Sequence, residues 1–412
     1  MLIDLSEIRK LMAEFPREEY ISRWDRARAL MEREKIDGLL LGRYENIAYF
    51  SGFRRPSRYQ FVCDAFLLPR DRPPVLLVPV DQRAQAGAMC WLDDVRLHVA
   101  GAARSLFPKL SDAKETGLGL LKELGFGDKV IGVERNPQVS DQESWNAFMS
   151  RLKNTKVVDD LIWKERMVKS ALEIKYVKNS VELASKGFKK ALKSVRRGMT
   201  ERELARIVYR TMLDGGVEDT PLGGLLNCKG GKSRYAMSDT RPTDYKLQKG
   251  DIVILDGGMP YKGYWSDITR LTSIGKPSKH QKELYEACME AEIAGVEAMQ
   301  PGRKVSEVYQ AAERVLEKKG VSKNRLPQEP FGHGLGLEIH EPPLIVPTSD
   351  VVLEPGMVLA IEPCLYDDKV LRSFVEGYIP GGEGVFFVED NVLVTTTGPE
   401  NLSPIPRELN IV

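Results

Sequence analysis

The sequence predicts an α/β protein of two domains. Three observations carry this. A chain of 412 residues exceeds what one ordinary core accommodates. Its first part alternates short apolar runs with helical stretches, the pattern of a sheet covered by helices. Near residue 160 the texture changes to long, well-capped helices followed by acid-bearing strands.

The first domain is expected over residues 1–160 and the second over 161–412, with the change at "NTKVVDDLIWKERM". In the first, "ISRWDRARALMEREK" has the spacing of an amphipathic helix, and "IDGLLLGR" and "PVLLVPV" read as buried strands. In the second, "VKSALEIKYVKNSVELASKGFKKALKSVRRGM" predicts a long helix. Ser170 and Glu173 form a capping box at its start, and Gly198 is expected to close it. Thr200 with Glu203 opens the next helix in the same way. "DIVILDGGMPYKGYWSDITRLTSIG" predicts a β-hairpin turning near Pro260 to Gly263. "SKHQKELYEACMEAEIAGVEAM" and "VSEVYQAAERVLEKKG" predict helices; "GMVLAIEPCLY" and "EGVFFVEDNVLVTT" predict strands. Helices followed by strands occur twice, which suggests two similar halves.

The totals exclude several function classes. With 60 basic against 59 acidic residues, a net charge of +1 offers no electrostatic case for nucleic acid or an anionic membrane. The opening "MLIDLSEIRKLMAEFPREEY" lacks the apolar stretch of a signal peptide, and no window is apolar enough to span a bilayer. Five scattered cysteines show no metal-type pairing and read as reduced thiols, so a cytoplasmic location is expected.

The chemistry lies where acids interrupt apolar strands. "IVILD" ends in Asp256, "GYWSDITRL" carries Asp267, "MVLAIEP" carries Glu362 and "GVFFVED" carries Glu389. A carboxylate in such a strand is costly to bury unless it is paired or bound to metal. Half of the chain's four histidines, His333 and His340, fall in "PFGHGLGLEIHEPP". Four acids and one glycine-framed imidazole suit Mn²⁺, Fe²⁺, Co²⁺ or Zn²⁺. Two divalent ions about 3.5–4 Å apart need bridging carboxylates to offset their repulsion. The residues therefore point to a two-metal hydrolytic site.

"DGGMPYKGYWSDITR", "GHGLGLEIHEPP", "GMVLAIEP" and "VEDNVLVT" resemble the signature blocks of the pita-bread metallopeptidase family, which includes prolidase, aminopeptidase P and the metal-free creatinase. "GRYENIAYFSGFRR" resembles the creatinase-type N-terminal domain, so the resemblance covers nearly the whole chain. It implies a creatinase-like N-terminal α/β domain followed by a pita-bread catalytic domain. It also implies that Asp256 chelates one ion, that Asp267 and Glu389 bridge the pair, and that His333 and Glu362 hold the second ion. Manganese is the expected metal, with cobalt, zinc or iron as alternatives. The glycines at 332, 334 and 336 are expected to let the backbone pass close to the metal. His340 is expected to touch the substrate carbonyl and stabilise the oxyanion. Glu362 is the expected proton shuttle between a metal-bridging hydroxide and the leaving nitrogen.

The resemblance fails in the substrate shell. Where peptidase members carry a histidine 17 residues before the first metal aspartate, this chain has Asp239. Glu329 stands at the place of an aminopeptidase P histidine, and Phe387 at that of an arginine. These three residues are the candidate substrate-binding positions. Asp239 and Glu329 would attract a cationic or amine-bearing substrate. Tyr264, Trp265 and Tyr366 read either as pocket lining or as core, and 375–385 either as a flap or as a strand connection.

The expected activity is hydrolysis of an amide bond next to proline, as an Xaa-Pro dipeptidase or Xaa-Pro aminopeptidase. The alternative is a metal-dependent hydrolase or lyase of a small, cationic non-peptide substrate. By resemblance a homodimer is expected, with Arg54, Arg55 and Tyr59 as a contribution to the neighbour's site. The partners are otherwise a small peptide or small molecule, without nucleic acid or membrane.

Overall fold

The structure is a computed structural model. It describes all residues except 1–4, 55–63, 100–105, 107–108, 136–144, 147–148, 218–224, 232–240 and 377–383. Arg55, Tyr59 and Asp239, and most of the segment 375–385, lie outside the described residues. The chain divides into two compact units, Met1–Arg166 and Met167–Val412.

The first unit contains α1 (Leu5–Met12), α2 (Arg17–Arg33), β1 (Gly38–Leu41), α3 (Tyr44–Ser51), β2 (Ala65–Pro69) and β3 (Val75–Pro79). It continues with α4 (Arg83–Met89), β4 (Asp94–His98), α5 (Ala113–Glu123), β5 (Val130–Val133), β6 (Asn154–Val157) and α6 (Asp159–Met167). Its strands form one mixed sheet in the order β4-β3-β2-β1-β5-β6. Only β2 runs antiparallel to its neighbours. The runs "GLLL" and "VLLVP" are buried throughout, as expected for strands covered on both faces. Helix α2 buries Tyr20, Trp24, Ala27 and Met31, a stripe at helical spacing.

The second unit contains α7 (Ala171–Ser194), α8 (Glu201–Asp214), β7 (Leu225–Lys229), β8 (Ile252–Gly258), β9 (Ile268–Ser273), α9 (Lys279–Ala298) and α10 (Val305–Lys318). After these come β10 (Gly332–Gly334), β11 (Val358–Ile361), β12 (Leu365–Tyr366), α11 (Asp368–Glu376), β13 (Val385–Phe386), β14 (Asp390–Thr395), β15 (Gly398–Asn401) and β16 (Asn410–Ile411). The capping boxes of α7 and α8 form as expected, and Ser278 with Gln281 makes a third at α9. Helix α7 ends at Ser194, where Val195 turns extended, so it stops short of Gly198.

Four-stranded sheets β16-β9-β8-β7 and β10-β11-β14-β15 form the two halves, with β12 and β13 as a separate pair. Helices α7 and α8 pack together on the first sheet; α9 packs with α10 and on β11 and β15. The hairpin β8–β9 turns through a bridge between Tyr261 and Tyr264. The two sheets meet where Thr269 and Glu389 pair. Two expected strands are broken: β11 stops before Glu362, and β13 and β14 are separated by Phe387, Val388 and Glu389. Both breaks fall at acids.

Candidate metal centre

Strand register gathers the acids. Asp256 on β8 stands opposite Thr269 on β9, and Thr269 bridges to Glu389. Directly opposed residues share a face, and so do residues two apart on one strand. Asp267, two before Thr269, therefore joins that face. In the second sheet His333 stands opposite Ala360, and Ala360 opposite Asn391. Glu362 is two beyond Ala360 and Glu389 is two before Asn391, so both join it too. Period-two alternation and one seam between two sheets bring together side chains from five separate segments.

The distances agree. Donor atoms of Asp256, Asp267 and Glu389 all lie within 4.8 Å of one another, as do those of His333, Glu362 and Glu389. A third such group joins Asp267, His333 and His340. His333 Nε2 is 3.3 Å from Glu362 Oε1, 3.8 Å from Asp267 Oδ2 and 3.9 Å from Glu389 Oε1.

These residues fit divalent cations on three grounds. His333 Nε2 and Glu389 Oε1 are buried with no hydrogen-bond partner, and such atoms are rare unless an ion or water satisfies them. Burial, followed by the charges of Asp256 and Glu362, pushes the Asp267 carboxyl well above its ordinary range. Glu389 is pushed up likewise by burial and then by Asp267, Glu362 and Asp256. Carboxylates so placed ionise readily only when positive charge enters among them.

The supporting contacts were not singled out from the sequence. The Thr269 hydroxyl is 2.5 Å from Asp256 Oδ1 and 2.9 Å from Glu389 Oε2. Asp267 N donates to Asn391 Oδ1 at 3.0 Å, and Asn391 Nδ2 donates back to the Asp267 carbonyl. The available signal was periodicity, because Thr269 and Asn391 each lie two residues beyond a candidate ligand.

A profile of metallopeptidase family M24 matches residues 175–396, more than half of the chain. The chain belongs to metallopeptidase family M24. A creatinase/prolidase N-terminal domain profile matches residues 23–168, so the creatinase-like and pita-bread architecture holds. A Xaa-Pro dipeptidase of Pyrococcus horikoshii is 34% identical over 92% of this chain and 96% of its own length. That of Pyrococcus furiosus is 29% identical over 92% and 97%. Among solved structures, a Xaa-Pro dipeptidase from Bacillus anthracis aligns at a TM-score of 0.76 with 26% identity, covering 95% of this chain and all of that one (100%).

Within this M24 chain the remaining candidates separate. His340 is exposed, with its ring edge-on to His333 at 4.2 Å between centroids. Partial burial of the ring against its neighbours, then His333, lowers its pKa below the ordinary imidazole value. Glu329 accepts from the Tyr366 hydroxyl at 2.6 Å, and its Oε2 has no hydrogen-bond partner. Phe387 is only 3% exposed and packs in the core cluster with Phe386 and Val388. Tyr264 is buried and donates to Glu173 Oε1 at 2.7 Å, which makes it core. A Cβ on Gly332 would stand 2.1 Å from the Ala360 carbonyl, and one on Gly334 2.3 Å from that of Pro342. These glycines admit neighbouring protein backbone.

Proposed function

We propose that this M24 chain is a metal-dependent Xaa-Pro peptidase of prolidase type, with a two-ion site on the seam between the sheets of its second unit. The observation that carries it is the convergence of Asp256, Asp267, His333, Glu362 and Glu389 on one face. Asp256 would hold one ion, Asp267 and Glu389 would be shared by both, and His333 and Glu362 would hold the second. Oxygen donors with a single imidazole suit Mn²⁺.

Bound divalent ions supply a Lewis acid for the scissile carbonyl and lower the pKa of the attacking water. The protein's own groups divide the remaining work. Glu362 keeps 27% of its side chain exposed, against 7% for Asp267 and 1% for Glu389, so it lies at the open side of the cluster. It accepts the proton of the attacking water and delivers it to the leaving nitrogen. His340, neutral at neutral pH, donates an N–H to the developing oxyanion. Glu329, aligned by Tyr366, and Asp239 favour a substrate bearing a cationic or amine group. Phe387 is left out of the substrate contacts. The alternative small non-peptide substrate is not favoured: the relatives named above are Xaa-Pro dipeptidases. A homodimer and a cytoplasmic location belong to the same proposal, and size-exclusion light scattering and cell fractionation check them.

The test is a hydrolysis panel on Mn²⁺-loaded protein with a chelated control. It sets Xaa-Pro dipeptides against longer Xaa-Pro peptides and cationic non-peptide amides. Chelator-sensitive cleavage of the peptides supports the reading, and the length preference separates dipeptidase from aminopeptidase behaviour. A protein that binds two metal equivalents and cleaves none of the peptides overturns it.

A further inference from the structure

Behind the candidate ligands lies a guanidinium whose placement is stricter than packing needs. Arg270 on β9 is 1% exposed, and all five of its N–H donors are used. Nε donates to the Pro406 carbonyl at 2.8 Å. Nη1 donates to the carbonyls of Thr269 and Glu389, both at 2.8 Å, and Nη2 to Asp390 Oδ1 at 2.5 Å and the Ile405 carbonyl at 2.9 Å. One nitrogen thus spans the seam, holding a carbonyl on each sheet.

Glu389 needs such a hold. It sits in the break between β13 and β14, and its backbone bonds to Thr269 are long, at 3.3 and 3.4 Å. The shorter contacts from Arg270 set where its carbonyl, and hence the root of its side chain, stands. Asp390 balances the charge; its other oxygen forms an ion pair with Arg407 Nη2 at 2.8 Å and accepts from Asn401 Nδ2 at 2.6 Å. Arg407 continues to Glu292 at 2.7 Å. The chain Arg270–Asp390–Arg407–Glu292 alternates two guanidinium and two carboxyl groups.

We infer that Arg270 is a positioning residue for the metal centre: it holds the Glu389 backbone against Thr269 and so fixes where the Glu389 carboxylate enters the ligand cluster. The inference rests on the reading of Glu389 as a metal ligand. A planar fork of five donors performs this task, and a lysine, with three donors on a point charge, cannot reproduce it.

The test compares Arg270→Lys with Arg407→Lys in the full-length protein, using Co²⁺ as the probe. Arg407 shares Asp390 but does not touch the Glu389 carbonyl, so its variant reports loss of the network alone. Arg270→Lys is expected to change the visible absorption of bound Co²⁺ and to weaken one of the two ions about 10–100-fold, the usual effect of losing an outer-sphere partner. Arg407→Lys is expected to lower the melting temperature and leave the spectrum unchanged. Unchanged spectrum and affinity in Arg270→Lys, or equal perturbation in both variants, overturns the inference. If Arg270→Lys does not fold, arginine-labelled wild-type protein is titrated with Zn²⁺ and followed by NMR. A shift of the Arg270 side-chain signals larger than that of Arg407 supports the inference, and its absence overturns it. Glu389→Gln tests the underlying reading separately, because two tightly bound ions in that variant would remove Glu389 from the ligand set and overturn the inference together with that reading, whereas a failed Arg270→Lys test overturns the inference alone.

Discussion

His333 Nδ1 lies 3.0 Å from the carbonyl oxygen of Gly334. A carbonyl accepts only, so Nδ1 carries the proton and the Nε2 lone pair faces the acids. The neighbour that β10 pairing holds in place thus selects the tautomer a metal requires.

Replacement of His333 should therefore remove an ion, not merely loosen the site. His333→Ala is expected to retain one metal equivalent after dialysis, with an affinity loss at the second position beyond the about 10–100-fold of an outer-sphere change. Metal analysis of the dialysed variant decides, and two retained equivalents would refute the role.

Metal removal should couple to pH with a definite sign. In the folded, metal-free protein the Asp267 and Glu389 carboxyls are raised above their unfolded values, of about 4. The folded state then binds more protons than the unfolded one. The stability contributed by the protonated groups is full below about pH 4 and is lost as pH rises through the raised values. Metal binding displaces those protons and cancels the loss. Melting temperatures with and without chelator should thus diverge progressively as pH rises above about 4. A constant gap would contradict the burial of these acids.

The proposed oxyanion role of His340 predicts an effect on turnover rather than on metal retention. His340→Gln should keep both ions and lose kcat by about 10²-fold, the scale of one oxyanion donor, with KM nearly unchanged. Steady-state kinetics beside metal analysis checks this, and loss of an ion would make His340 a ligand.

Under the His340 loop lies a buried ion pair. Lys169 Nζ is 3.2 Å from Glu341 Oε2, with side chains 2% and 1% exposed, and Glu341 Oε1 also accepts from Glu338 N at 3.0 Å. Lys169→Met strands a buried carboxylate and should cost about 3–5 kcal/mol. The double variant Lys169→Met/Glu341→Leu should recover most of that loss. Chemical denaturation of the three proteins measures it, and a single variant as stable as the wild type would show that the pair is not desolvated.

Much of the site was legible one residue at a time. The acids stood out because each interrupts an apolar strand, and His333 because glycines frame it. The capping boxes at Ser170 and Thr200 and the turn between Tyr261 and Tyr264 depend on residues within about four positions, which a linear reading sees directly. The strand breaks at Glu362 and Glu389 were not legible, because an apolar run continues through each and only pairing partners decide where a ladder stops.

By itself, then, the sequence determined the chemical inventory: which donors exist, which helices begin where, and which side chains share a strand face. Tertiary structure decided the assembly. Thr269 meets Glu389 across 120 positions, Asn391 grips the backbone of Asp267 across 124, and Arg270 reaches Pro406 across 136. Contacts at such separation follow from the register of two sheets against each other. That register is set by the summed packing of both cores, and no local pattern along the chain encodes it.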